Sequence, residues 1–420
     1  MRQVVLKSAD RQPVHVVYGG AQLYKAETPA RLGTLALELI RNYTPDASSF
    51  SECLGLPLEL ANSVFERTVA KLEREPVEDF RVDFEDGYGY RSDAEEDGHA
   101  ASTAQLLARG MGKPGFPPFI GIRIKPFTEA LRARSERTLD LFLTALFQES
   151  SSLPDNFVIT LPKITDPKQV GDLVELLDRA EARYGLEARA IRIELMIETP
   201  QNIIDSSGSI GIPKLIESAQ GRCRGLHFGP YDYSASCNIA AAEQRLDHPA
   251  CDFARHVIQV SAADRGVFLS DGPSTILPIP RHRGPALTDD QRAENRAVVQ
   301  RAMRHHFDLV QRSLAHGYYQ GWDLHPGQIP SRYAAVYAFF LKSLDAAAAR
   351  LRNFVDQAAQ ATLVGDVFDD AATGQGLLNF LLRGVNCGAF TEAEAAASGL
   401  TIDELRGRSF LKIMENRRKP

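Results

Sequence analysis

The stretch RIELMIETPQN, residues 192–202, places Arg192, Glu194 and Glu198 at alternate positions of a segment otherwise built from Ile, Leu and Met. In a β-strand such positions share one face. Charges taken out of water cost roughly several kcal/mol each unless they are paired or bound to a metal, so this face needs partners. Two further segments alternate in the same way. FRVDFED (80–86) sets Val82 and Phe84 against Arg81, Asp83 and Glu85, and FIGIRIK (119–125) sets Ile120, Ile122 and Ile124 against Gly121, Arg123 and Lys125. A fourth acid follows the strand-like GLHFG: in GLHFGPYDYSAS (225–236), Gly229 and Pro230 allow a tight turn and Asp232 comes directly after it. Glu198 and Asp232 would form an oxygen-only pair suited to Mg²⁺, which keeps several waters and takes one or two carboxylates plus substrate oxygens. The competing reading of Asp232 is a helix cap.

These residues need a frame that brings strand ends together. Eight short β-type runs recur along the chain: HVVYGG, FRVDFED, FIGIRIK, FVITLPK, IRIELMIE, GLHFG, GVFLSDG and GWDLHP. Amphipathic helical segments alternate with them, such as residues 172–185 and 287–317. That order predicts an α/β fold, a (β/α)₈ TIM barrel over residues 1–335, with an appended C-terminal helical region over 336–420. Parallel strands covered on both faces normally read as continuous apolar runs; the alternation therefore points one face at the helices and a charged face into the lumen. Barrel active sites lie at the carboxyl ends of the strands. By that rule Glu85, Asp86, Arg123, Lys163, Glu198 and Asp232 belong to the mouth, whereas Arg81, Asp83, Arg192 and Glu194 lie deeper and form a structural ion network. The long first crossover (44–57) and the Pro-rich segment after the seventh strand (273–285) are expected above the mouth.

Composition narrows the function classes. The 420 residues are 44% hydrophobic and 24% charged, with a net charge of −6, as in an ordinary globular protein. No Lys/Arg block marks a nucleic-acid partner. The N-terminal segment has no apolar core of a signal peptide, and no run is long enough to cross a bilayer, so a cytoplasmic, membrane-free protein is expected. Five scattered cysteines without a C-x-x-C pair give neither a zinc site nor a disulfide framework. Phosphate-binding glycine loops are missing. His325 reads as structural, and His305 and His306 as surface or packing residues.

Taken in order, these segments resemble the HpcH/HpaI aldolase and citrate lyase β-subunit superfamily, which includes malyl-CoA lyases and is akin to malate synthase. DFEDGYG resembles its acidic stretch after the second strand, and GIRIKPF its R-V-N segment. LPK is similar to its Pro-Lys, MIETPQNI to its I-E-T segment, HFGPYDYSAS to its F-G-x-x-D and GWDLHPGQI to its closing I-H-P-x-Q-I. The resemblance implies a carbon–carbon lyase of the class II aldolase type, acting through the enolate of a 2-oxo acid such as pyruvate, oxaloacetate or glyoxylate. It implies Mg²⁺, with Mn²⁺ as the alternative ion, held by Glu198 and Asp232, and a substrate carboxylate gripped by Arg123. Glu85 and Asp86 would orient metal-bound waters, Lys163 would join them in the catalytic set, and Gly229 and Pro230 would border a substrate oxygen. Asp369 or Asp370 best resembles the proton-transfer aspartate that relatives supply from the C-terminal region; an acidic helix start is the plain alternative. The resemblance also implies a homo-oligomer.

The chain departs from the pattern at PVHVVYGGA, where relatives that use coenzyme A carry a basic pair and an F-V-P-G turn. A CoA thioester is therefore one candidate substrate beside a free carboxylate. Two other readings stand: a malate-synthase-like Claisen condensation of an acyl-CoA with a 2-oxo acid, and a barrel without activity that serves as a regulator or assembly subunit.

Overall fold

The computed structural model describes residues 11–356, 362–364, 367–369, 371–407 and 409–418. Each of the eight runs forms a strand: β1 (His15–Gly20), β2 (Asp79–Asp83), β3 (Phe119–Arg123), β4 (Val158–Leu161), β5 (Arg192–Ile197), β6 (Cys223–Phe228), β7 (Phe268–Asp271) and β8 (Gln320–Asp323). All pairs are parallel, and β8 closes the barrel on β1 with His15 beside Gly321. Helices wrap the outside, as in the TIM-barrel architecture. Val82, Ile122, Ile159, Ile193, Leu195 and Leu226 are fully buried on the outward face. Helix boundaries follow local chemistry. Asp166 caps the helix Pro167–Tyr184 in a reciprocal box with Gln169, and Gly185, at φ +67°, ends it.

The register places the polar set on the inner face. Gly20 stands beside Asp83, Asp83 beside Arg123, and Arg123 beside Thr160. Thr160 stands beside Glu194, Met196 beside His227, and His227 beside Ser270. Two expected lumen charges lie elsewhere. Arg192, the first residue of β5, is exposed and donates to the Gly221 carbonyl at 2.8 Å, because a strand's first residue sits at the rim of the barrel base. Lys125 lies past the end of β3 and turns outward to Glu96 at 2.8 Å.

At the mouth, the Pro-rich segment is tied down by Tyr231 Oη donating to the Pro273 carbonyl and by Gln328 Nε2 donating to Ser274. His325 caps the turn Pro326–Gln328 through Nδ1, which accepts from the Gly327 N–H. His306 is a packing residue: it is buried, with Nε2 2.9 Å from Asp323 at the end of β8. The helix Asp289–Ala315 therefore runs past the strand ends, and helix Ala47–Leu54 of the first crossover packs against it near Gln300. The C-terminal helices close the other end of the barrel. Arg383, in helix Ala371–Asn386, donates to Gln12 and stacks on Tyr319 at 4.0 Å. This region also contains a short antiparallel ribbon, β9 (Thr362–Val364) with β10 (Val367–Asp369), where the helical periodicity breaks. Among the described residues no helix is long and apolar enough to cross a membrane.

Candidate active site

The mouth is organised by Asp83, which the sequence reading assigned to the deep network. Counting positions along a strand misplaces it, because β2 ends at this residue and the turn folds back over it. Its carboxylate accepts from the Glu85 N–H (3.0 Å) and the Gly87 N–H (2.8 Å), shaping the turn. A Cβ on Gly87 would lie 2.5 Å from Asp83 Oδ2, so the close approach requires glycine. The same carboxylate clasps Arg123 side-on, with Nε at 2.7 Å and Nη2 at 2.5 Å. The remaining Nη1 faces Glu85 at 3.1 Å and Met196 Sδ at 3.6 Å. The guanidinium, 2% exposed, also lies 4.8 Å from the Tyr18 ring and 5.4 Å from the Trp322 ring.

Lys163 follows β4 with φ +48°, a left-handed conformation that costs a non-glycine residue about 1–3 kcal/mol. That conformation aims its backbone N–H at Glu198 Oε1, 2.6 Å away, while Nζ pairs with Glu85 and, at 2.8 Å, with Asp86. Burial works against the lysine charge, but the two carboxylates outweigh it and raise the amine's pKa. Burial raises the Glu85 carboxyl. Asp86, more exposed, is lowered: burial opposes its charge and the Lys163 amine prevails.

Glu198 is 2% exposed. Burial, followed by the neighbouring charge of Asp232, pushes its carboxyl up to about 8. Gly229 makes room for it, since a Cβ there would sit 2.6 Å from Glu198 Oε2. Pro230 opens the short helix Pro230–Ser236, whose first turn carries Asp232. The linked set thus holds five carboxylic groups (Asp83, Glu85, Asp86, Glu198, Asp232) against two cations (Arg123, Lys163). Oxygen donors with surplus negative charge are the donor set a hard divalent cation takes. Among the described residues no three His, Cys, Asp or Glu side chains converge as a ligand cluster. Glu198 and Asp232 lie within electrostatic reach of each other.

Below this set lies a closed network. Arg81 bridges Glu194 (2.6 Å) and Asp79 (3.0 Å), Gln320 donates to Asp79, and Thr160 donates to Glu194. Burial disfavours the Glu194 charge, but Arg81 and His227 overcome it and lower the carboxyl's pKa.

The structure therefore gathers Glu85, Asp86, Arg123, Lys163, Glu198, Gly229, Pro230 and Asp232 at one end of the barrel. Asp369 ends β10, whose backbone packs with helix Ala371–Asn386, and Asp370 lies outside the described residues. Sequence reasoning missed Tyr18, His227 and Trp322, which share the inner face with Met196. The signal was available in the period-2 spacing of Gly225, His227 and Gly229 opposite Leu226 and Phe228, and of Tyr18 between Val17 and Gly19.

A family model described as "Domain of unknown function (DUF6986)" matches residues 5–413. No curated protein matches the chain. Among solved structures, a citrate lyase from Burkholderia xenovorans LB400 superposes with a TM-score of 0.59 at 20% identity, over 93% of this chain and 97% of that one. The protein CitE from Mycobacterium tuberculosis, in complex with magnesium, acetoacetate and coenzyme A, gives 0.50 at 14% identity, over 90% and 99%. At such identities the likeness is one of fold.

Proposed function

The chain belongs to the family described as a domain of unknown function (DUF6986), and from that premise we propose that it is a Mg²⁺-dependent lyase that makes or breaks a carbon–carbon bond through the enolate of a 2-oxo acid. The observation that carries this reading is Glu198 buried within electrostatic reach of Asp232, in a set with five carboxylic groups and two cations. The fold shared with a citrate lyase supports it, as does the magnesium and acetoacetate complex of CitE.

Glu198 and Asp232 would hold the ion, with Mn²⁺ as a substitute. Bound there, a divalent ion supplies a Lewis acid for the 2-oxo and carboxylate oxygens of the substrate. The remaining work falls to the chain. Lys163 fixes Glu198 through its backbone N–H. Asp83 orients Arg123 and occupies its Nε/Nη2 edge, so an incoming carboxylate meets the Nη1/Nη2 end and displaces Glu85 from Nη1. Glu85 and Asp86, still paired with Lys163, would then accept from ordered water with their remaining lone pairs. Asp83, Arg123 and Glu198 are buried, which strengthens their electrostatic contacts.

The test is Mg²⁺-dependent release or hydrogen exchange of 2-oxo acids, run beside Glu198→Gln. Loss of the rate and of its metal dependence in the variant is expected. An unchanged rate would dispose of the metal assignment.

A further inference from the structure

Tyr18 and His227 come from opposite sides of the lumen and meet beneath Arg123. The Tyr18 hydroxyl lies 3.2 Å from His227 Nδ1, and His227 Nε2 lies 3.1 Å from Glu194 Oε2. Glu194 is anchored in turn by Arg81 at 2.6 Å and Thr160 at 3.3 Å. The charged groups around the pair are Glu194, Arg81 and Asp79 below, Arg123 above, and Arg224 near the barrel base, where it stacks on Phe119 at 4.6 Å. An ionised carboxylate only accepts hydrogen bonds, so Glu194 places the imidazole proton on Nε2 and leaves Nδ1 as an acceptor for the Tyr18 O–H. His227 and Glu194 are each 4% exposed, whereas Tyr18 is only partly buried.

We propose that Tyr18 is the catalytic proton-transfer group of this site, with His227 and Glu194 as positioning residues that carry the proton onward; the proposal rests on the 2-oxo acid reading above. In the forward step the proton on the carbon next to the 2-oxo group passes to Tyr18 Oη, and the hydroxyl's own proton passes to His227 Nδ1. The C–H electron pair stays on the substrate as the enolate, and the imidazolium is left paired with Glu194. The reverse step returns both protons, so no further reagent is consumed. The phenolic O–H–imidazole–carboxylate chain gives the proton a route without leaving a bare phenolate, which burial would disfavour. Arg123 lies against the ring, so the group that meets the substrate carboxylate also sets the carbon's distance from the hydroxyl.

The experiment uses the full chain with Mg²⁺ and pyruvate in D₂O, following loss of the methyl proton signal by NMR. Tyr18→Phe is expected to slow exchange by about 10²-fold or more, the scale of positioned acid–base catalysis, while Mg²⁺-dependent pyruvate binding stays within a few-fold of the parent. His227→Gln is expected to slow exchange similarly and to flatten its pH profile; it also serves if Tyr18→Phe fails to fold. Without metal, ¹⁵N-histidine spectra should show His227 protonated at Nε2, with its Nδ1 signal moved by Tyr18→Phe. Exchange that survives both substitutions would overturn the relay and leave the function reading standing. A parent protein with neither Mg²⁺-dependent binding nor exchange would overturn that reading and the relay with it.

Discussion

Glu194 and Glu198 stand on the same inner face of one strand segment, two rungs apart, and both are almost fully buried. Their surroundings push them in opposite directions. Arg81 and His227 keep Glu194 ionised against the penalty of burial. At Glu198 burial, followed by the like charge of Asp232, outweighs the one backbone N–H it accepts, and its carboxyl rises to about 8. The lower rung is electrostatically satisfied by the protein itself; at the upper rung like charge stands near like charge, which the proposed cation would offset. Burial alone does not separate a structural charge from a functional one. What separates them is whether the partners are already present.

That contrast can be broken at several points. The largest effect is expected from Arg81→Met, which leaves Asp79 and Glu194 buried without their shared cation. A loss of about 3–5 kcal/mol in unfolding free energy is expected by urea titration, and a loss below 1 kcal/mol would show that the lower rung is not the closed network described. Glu198→Gln should do the reverse. Activity with Mg²⁺ and a 2-oxo acid should fall by at least about 10²-fold, since even the partners of metal ligands are worth 10–100-fold, while the melting temperature holds or rises.

Acid and alkali should also act on the two rungs with opposite signs. Glu194 has a folded pKa below its ordinary 4.5, so its stabilisation is present above pH 4.5 and is lost as the pH falls below it. Glu198 has a folded value of about 8 against an ordinary 4.5, so its contribution is complete below pH 4.5 and is lost as the pH rises toward 8. Metal binding needs the ionised carboxyl. Mg²⁺ affinity, measured calorimetrically, should therefore rise by up to about tenfold per pH unit below pH 8 and then level, and Glu198→Gln should abolish that slope. The smallest effect belongs to Asp86→Asn. Its side chain is 57% exposed and its bridge to Lys163 is partly solvated, so a stability change under about 1 kcal/mol is expected by thermal unfolding.

Much of this arrangement was legible in the residues. The period-2 alternation in β2, β3 and β5 gave the strands and their inner faces, because a barrel lumen imposes that spacing on polar and apolar side chains alike. Depth was harder to read. Asp83 looked deep by its position in FRVDFED, yet it ends its strand and clasps Arg123. Arg192 looked deep and is exposed at the base rim. Strand ends are set by turn hydrogen bonds and by the stagger between neighbours, which no single segment displays. Tyr18 and His227 were missed because each lies alone among apolar and glycine residues, and their meeting depends on closure of the barrel. The C-terminal ribbon of β9 and β10 lies in a region read as helical, because the pairing of two short segments is not visible in either one alone.

The central claim is that Glu198 and Asp232 hold one divalent ion. Crystals soaked in Mn²⁺ and measured at an energy where manganese scatters anomalously would test it directly. A single strong peak within ligating distance of both carboxylates, about 2.0–2.2 Å for a small hard cation, and its disappearance in Glu198→Gln, are expected. A peak bound elsewhere, or a parent site that stays dark at millimolar Mn²⁺ with the two carboxylates turned apart, would contradict the claim.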